Sequence, residues 1–240
     1  MSDPHDLFPA GFFSRSDQLP DRAFYGYDRF VTHIDDRAID AVGALYSELQ
    51  LTGAVLDLCS SWVSHFAAAP AELVALGMNA NELAANPMAT SSVVHDLNVD
   101  PTLPFPDERF DAVTCCVSID YLVRPIDVLR DAARVLRPGG RLVVTFSNRC
   151  FPTKAIRGWL ETDDVGHGVI VSRFVELAGG FGPATVALRT PSRTYGDPLY
   201  GAWATRLSES SHSLDAATPA GPLAARRVAA PRAAATGRPW

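Results

Sequence analysis

Several features that would fix the class of this 240-residue chain early are missing from it. It has four cysteines, Cys59, Cys115, Cys116 and Cys150, and none shows the C-x-x-C spacing of a metal or redox site. Free thiols in a reducing compartment are the simplest reading, and no metal set is expected. No stretch approaches the ~20 apolar residues of a membrane span. The opening residues, MSDPHDLFPAGFF, have no basic n-region and too short an apolar run for a signal peptide. A soluble, cytoplasmic protein is therefore expected. An excess of positive charge is also absent: the formal net charge is −6, which argues against a broad nucleic-acid footprint. There is no G-x-G-x-x-G fingerprint with an acid about 20 residues on, which argues against a nicotinamide-binding oxidoreductase.

The composition that remains is that of an ordinary globular domain, 47% hydrophobic and 20% charged, with a tail. The organising stretch is Thr52–Phe66, TGAVLDLCSSWVSHF. Ala54, Val55 and Leu56 form a short apolar run that fits a buried parallel strand, apolar on both faces. Asp57 follows, and Cys59, Ser60 and Ser61 read as the turn at the strand's carboxyl end. Open α/β sheets bind their ligands at such turns.

Either side of this strand the pattern repeats. Residues 1–35 are rich in aromatics without clear period. They either pack across the sheet's edge or close over a pocket, with Tyr25, Tyr27 or His33 facing a ligand. Arg37–Leu49 has helical spacing at Ile39, Val42, Leu45, Tyr46 and Leu49, with acids near its amino end. Val63–Leu73 reads as a helix interrupted at Pro70, and Glu72–Leu76 as the second strand, ending at Gly77, Met78 and Asn79. Asn81–Asn86 reads as a short helix, Ser92–His95 as a third strand and Asp111–Ser118 as a fourth. Pro125–Leu136 reads as a helix closed by the stop signal Arg137-Pro138-Gly139-Gly140, before a fifth strand at Arg141–Phe146. His167, in a Gly-His-Gly run, reads as a loop before a helix at Val169–Leu177. Thr185–Arg189 and Leu199–Thr205 read as closing strands. The expected organisation is a lead segment and helix over 1–50, an α/β domain over 51–206 and a disordered Ala/Pro/Arg-rich tail over 207–240. Alternating strands and helices predict a doubly wound, Rossmann-like sheet, mostly parallel with an antiparallel closing strand, and helices on both faces.

Four segments carry a resemblance to a known family: VLDL at 55–58, HDLN at 95–98 with the connector LPFPDERFD, FDAVTCCVSIDYL at 110–122, and VLRPGGRLVVTFSN at 135–148. Between Ala54 and Thr205 the chain resembles the class I S-adenosyl-L-methionine-dependent methyltransferases of the type 11 kind. The resemblance implies S-adenosyl-L-methionine as cofactor. It implies a cofactor site built from Asp57, Leu58, Cys59, Ser60 and Ser61 after the first strand, and Gly77, Met78 and Asn79 after the second. Asp96 and Leu97 after the third strand, and Val117 and Ser118 after the fourth, complete it. Two departures stand out. Cys59, Ser61 and Val63 occupy positions where the family has glycines, and Trp62 must point away from the cofactor or fill its space. The second strand ends without the acid that holds the ribose hydroxyls; Asn79 is the nearest substitute, and no carboxylate follows until Glu82.

Each of these residues also has a structural reading. Asp57 can tie down a loop, Asp96 and Asn98 can form an ordinary turn pair, and Cys115 and Cys116 suit buried small hydrophobes. Methyl transfer from a sulfonium needs alignment and exclusion of water more than a base, so the lack of a catalytic triad is consistent with it. Candidates to face the acceptor are Tyr121, Asn148 and Arg149 at strand ends, with Tyr27 and His33 from the lead segment. The expected partner is a small-molecule methyl acceptor. The glycine losses keep a second reading open, in which the fold serves as a binding or scaffold module without transfer.

Overall fold

The computed structural model describes residues 3–191 and 195–208. The expected tail, including Arg226, Arg227, Arg232 and Arg238, falls essentially outside the described residues. Seven strands form one sheet in the order β3-β2-β1-β4-β5-β7-β6. They are β1 (Ala54–Leu58), β2 (Glu72–Gly77), β3 (Ser91–Val94), β4 (Phe110–Cys116), β5 (Leu136–Ser147), β6 (Thr185–Leu188) and β7 (Leu199–Thr205). The first five pair in parallel, and β7 runs antiparallel to both β5 and β6. No helix among the described residues is long and apolar enough to cross a membrane.

The period of two along a strand divides the core into two layers. Val55, Leu73, Ala112 and Val143 point to one face, beneath α2 (Asp36–Glu48), where they meet Ala38, Val42, Leu45 and Tyr46. Leu56, Val74, Val113, Leu142 and Val144 point to the other face, against α4 (Pro125–Val135) and α6 (Asp164–Ala178). Each central strand is thus apolar on both sides, as buried parallel strands require. Asp35 caps α2 through the Ala38 amide at 2.9 Å. Asp35 and Asp197, ahead of β7, are joined reciprocally: the amide of each donates to the carboxylate of the other at 2.9 Å.

Three sequence expectations are corrected. No helix forms over Val63–Leu73: residues 61–71 are irregular, because Ser64 turns inward to bond Asp57 and His65 takes a left-handed φ of 52°. His167 lies within α6, whose cap Asp163 accepts from the Gly166 amide at 2.8 Å, so the Gly-His-Gly run is the helix's first turns. The Arg137–Gly140 run does more than end α4. It begins β5, where Gly139 (φ 81°) donates to the Arg206 carbonyl and Gly140 accepts from the Arg206 amide. The register against β4 slips there, from Phe110–Leu136 to Ala112–Arg141.

The lead segment crosses the carboxyl ends of the strands rather than hanging free. Phe8, Phe12 and Phe13 cluster against Phe174 of α6. The Gly158 amide bonds the Phe12 carbonyl, and the Arg157 amide bonds the Ser14 carbonyl. The anchor is Lys154, the one lysine of the sequence, whose side chain is 0% exposed. Its Nζ lies 3.0 Å from Asp21 and 3.1 Å from Asp17, and donates to the Leu19 carbonyl at 2.9 Å. Asp21 opens the short helix α1 (Asp21–Tyr25) and also accepts from Arg15 at 2.8 Å and Asn98 at 2.7 Å. Removing one partner of a buried pair strands the other charge. Lys154→Met keeps the side-chain volume and is expected to lower stability in urea by roughly 3 kcal/mol, the low end for such pairs because Arg15 still faces Asp21. A loss of well under 1 kcal/mol would show that Lys154 does not anchor the segment.

Candidate active site

The carboxyl ends of β1, β2 and β4 and the loop after β3 open into one cavity of ≈ 590 Å³. That volume suits a small-molecule or cofactor site. All twelve positions singled out in the sequence line it: Asp57, Leu58, Cys59, Ser60, Ser61, Gly77, Met78, Asn79, Asp96, Leu97, Val117 and Ser118. Tyr121, Asn148, Arg149 and His33 line it too. Tyr27 does not. It is 75% exposed, on a turn whose carbonyl accepts from Arg29, so it leaves the set of groups facing the cavity.

Asp57 ends β1 with a carboxylate that is 2% exposed. One oxygen accepts from Thr114 of β4 at 2.7 Å. The other accepts from Ser60 at 2.7 Å and Ser64 at 2.8 Å. Burial raises its pKa while the three hydroxyls lower it, with burial the larger effect. Ser64 also accepts from Asn86, so the loop is tied at both ends by side chains instead of being shaped by glycine. The backbone still takes a glycine-like turn: Cys59 has φ 52°, and Val117 at the end of β4 has φ 43°. Such residues cost about 1–3 kcal/mol each and persist where surroundings over-determine them. Gly77 is required at the end of β2, since a Cβ there would stand 2.1 Å from the Ser60 carbonyl.

Asn79 is not free for a ligand. Its Oδ1 caps α3 (Ala80–Ala84) by accepting from the Asn81 and Glu82 amides, and its Nδ2 donates to Tyr25 and Asp28. Glu82, three residues past this cap, is the carboxylate that reaches the cavity. It accepts from the Arg29 amide at 2.7 Å and from the Ser61 hydroxyl. Its place as the first carboxylate after the end of β2 is its signal in the sequence. Trp62 lies in the wall, its indole N–H donating to the Val31 carbonyl at 3.1 Å, so it joins the first-strand loop to residues 25–33. Asp96 accepts from the Asn98 amide at 3.0 Å, a turn that leaves its second oxygen without a protein donor among the described residues.

Tyr25, Arg29 and His33 from the lead segment and Phe151 from the loop after β5 also line the cavity. The Tyr121 hydroxyl accepts from the Phe151 amide at 2.9 Å, and burial pushes the phenols of Tyr25 and Tyr121 well above the usual range. Cys116 is pushed up to about 12 by burial, and the Cys59 thiol and burial raise Cys115, so both thiols stay neutral. His167 is remote from all this: it stacks on Trp159 at 3.8 Å and bonds the Trp159 carbonyl.

Residues 58–144, a little over a third of the chain, match the family described as methyltransferase domain, of the type 11 kind. A demethylmenaquinone methyltransferase of Mycobacterium sp. (strain KMS) is 51% identical over 55 residues, covering 21% of this chain and 24% of that protein. The ubiquinone/menaquinone biosynthesis C-methyltransferase UbiE of Azotobacter vinelandii is 43% identical over 56 residues, covering 23% of this chain and 21% of its own length. The matched stretch thus spans about a quarter of these curated relatives or less. A solved structure of a SAM dependent methyltransferase from Aquifex aeolicus overlays on 86% of this chain and all of its own, with TM-score 0.50 and 15% identity, a likeness of fold. Residues 58–144 are thus similar to a methyltransferase domain, and the likeness to the solved structure is one of fold.

Behind Tyr121 lies Asp120, 3% exposed, with one carboxyl oxygen that has no hydrogen-bond partner. Burial pushes its pKa from 3.8 up to about 8. A value raised by folding favours the folded state at low pH. That contribution is complete below about pH 4 and is lost as pH rises to about 8. Asp120→Asn removes the effect, so the variant is expected to gain stability relative to the parent across that window in denaturant titrations. A difference that stays constant with pH would contradict this.

Proposed function

We propose that this chain is an S-adenosyl-L-methionine-dependent methyltransferase acting on a small-molecule acceptor. The observation that carries the reading is the convergence of all twelve positions that the resemblance implies on one cavity at the strand ends. The residues present fit the cofactor at the two places where the sequence departs from the family. Side-chain bonds from Asp57 hold the first-strand loop in the turn that glycine normally permits. Glu82 brings a carboxylate to the β2 side of the cavity, in the role Asn79 is too engaged to fill. Asp96 and Leu97 line the same cavity, which supports assigning them to the adenine.

When bound, the cofactor supplies a methyl group already activated on a sulfonium sulfur. The protein's part is to align the acceptor and keep water out. Tyr25, Trp62, Tyr121 and Phe151 give the cavity an aromatic wall suited to a flat ring. The quinone-pathway names of the curated relatives support an aromatic acceptor of that kind. A second reading, binding without transfer, is favoured by Trp62, whose ring occupies the wall of the cavity.

Calorimetric titration with S-adenosylhomocysteine tests the proposal. Binding in the micromolar range is expected, weakened about tenfold or more in Glu82→Gln, which retains an acceptor for the Arg29 amide but removes the charge. Absence of heat with folded protein would contradict cofactor binding. Binding with no transfer to any acceptor would favour the second reading.

A further inference from the structure

We infer that the half of the cavity formed by the lead segment and the loop after β5 is an anion subsite, built by Arg29 and Arg149, that takes a planar acceptor through a carboxylate. Its assignment to the acceptor rests on the reading of the other half as the cofactor site.

Asp57, Glu82 and Asp96, from β1, α3 and the loop after β3, line the cavity together with Arg29 of the lead segment and Arg149 of the loop after β5. Arg29 meets Glu82 through its main-chain amide, at 2.7 Å. Asp21 lines the cavity as well, but Arg15 and Lys154 already neutralise it. The cofactor carries a carboxylate of its own, so the assignment to the acceptor requires that S-adenosylhomocysteine affinity not depend on these two arginines.

Both arginines have donors to spare. The Arg29 amide is used by Glu82, whereas its guanidinium lies over the Phe24 ring at 4.5 Å and near the Phe151 ring at 5.9 Å. Its one hydrogen bond is to the Tyr27 carbonyl at 3.3 Å, and among the described residues no carboxylate pairs with it. Arg149 is 63% exposed and meets Asp197 only at 3.6 Å. An exposed, loose pair of this kind has little net strength and yields readily to a bound anion. Elsewhere in the domain arginines sit close on carboxylates, as Arg134 does on Asp131 at 2.7 Å and Arg206 on Glu108 at 2.9 Å. The planar fork of guanidinium matches a carboxylate bidentately. Phe151, two residues past Arg149, lines the cavity with the Tyr121 ring tilted at 36° to it.

The test is titration of the full chain, first with S-adenosylhomocysteine and then, in its presence and absence, with benzoate, 4-hydroxybenzoate, phenylacetate and indole-3-acetate, each against its methyl ester. At least one acid is expected to bind tenfold or more tightly than its own ester. That preference should fall toward unity in Arg29→Gln and in Arg149→Gln. S-adenosylhomocysteine affinity should hold within twofold, since the Arg29 amide that bonds Glu82 remains. Arg29→Lys, which keeps the charge but not the fork, should retain part of the preference and guards against loss through misfolding. Esters binding as well as acids, no acid binding at all, or a preference that survives the double variant would each overturn the subsite. Arginine-dependent acid binding without S-adenosylhomocysteine binding would leave the anion site standing and remove the cofactor reading; the reverse pattern would remove the anion site alone.

Discussion

The structure at the strand ends depends on one buried carboxylate. Asp57 gathers three hydroxyls from β4 and from its own loop, and in doing so fixes where the chain goes after β1. A loop with Cys59, Ser61 and Trp62 in it has no intrinsic preference for the tight turn it makes. The turn is held from below, by hydrogen bonds in a dry site where each is stronger than in water. Asn86 reaches the same loop through Ser64 and the Ser61 carbonyl, so the helix side of β2 and the end of β1 move as one piece. The left-handed backbone at Cys59 is the strain this arrangement tolerates.

A second constraint acts from above. Lys154 draws residues 17–21 down onto the loop after β5, and Asn98 joins the same cluster to the end of β3 and to Val123. From that anchor the chain runs on through Tyr25, Arg29 and His33, which form one wall of the cavity. Three further contacts hold the wall to the sheet: Asn79 to Tyr25, Glu82 to the Arg29 amide, and Trp62 to Val31. Trp62 and Asn79, two of the residues that stand out from the family pattern, thus bind the lead segment.

Much of the fold was legible because parallel strands write themselves as apolar runs with turn residues after them. VLDL, ELVAL and RLVVTF needed no tertiary information, and the helix over Arg37–Leu49 announced itself by its period. Val63–Leu73 misled for a physical reason: its Ala-rich composition suits a helix, but Ser64 is claimed by Asp57 and Pro70 ends the segment before a helix gains length. His167 misled in the opposite direction, since flanking glycines conceal a helix whose cap, Asp163, lies four residues earlier. In the site, strand-end positions were readable because topology brings them together wherever the sheet closes. Tyr27 was not, because nothing in FYGYDRF says which aromatic turns outward. Lys154 left a signal that went unread: a single lysine among twenty arginines marks a place where a compact ammonium is wanted.

The central claim is that the strand-end half of the cavity, from the Asp57 loop to Glu82, is the cofactor site, and that the lead segment, tied to it by Glu82 and Trp62, responds when that half is filled. Hydrogen–deuterium exchange with and without S-adenosylhomocysteine tests this most directly. The account predicts ligand-dependent protection in two separate segments, residues 57–66 and residues 20–33. Binding that protects neither segment, or only residues remote from the strand ends, would contradict it.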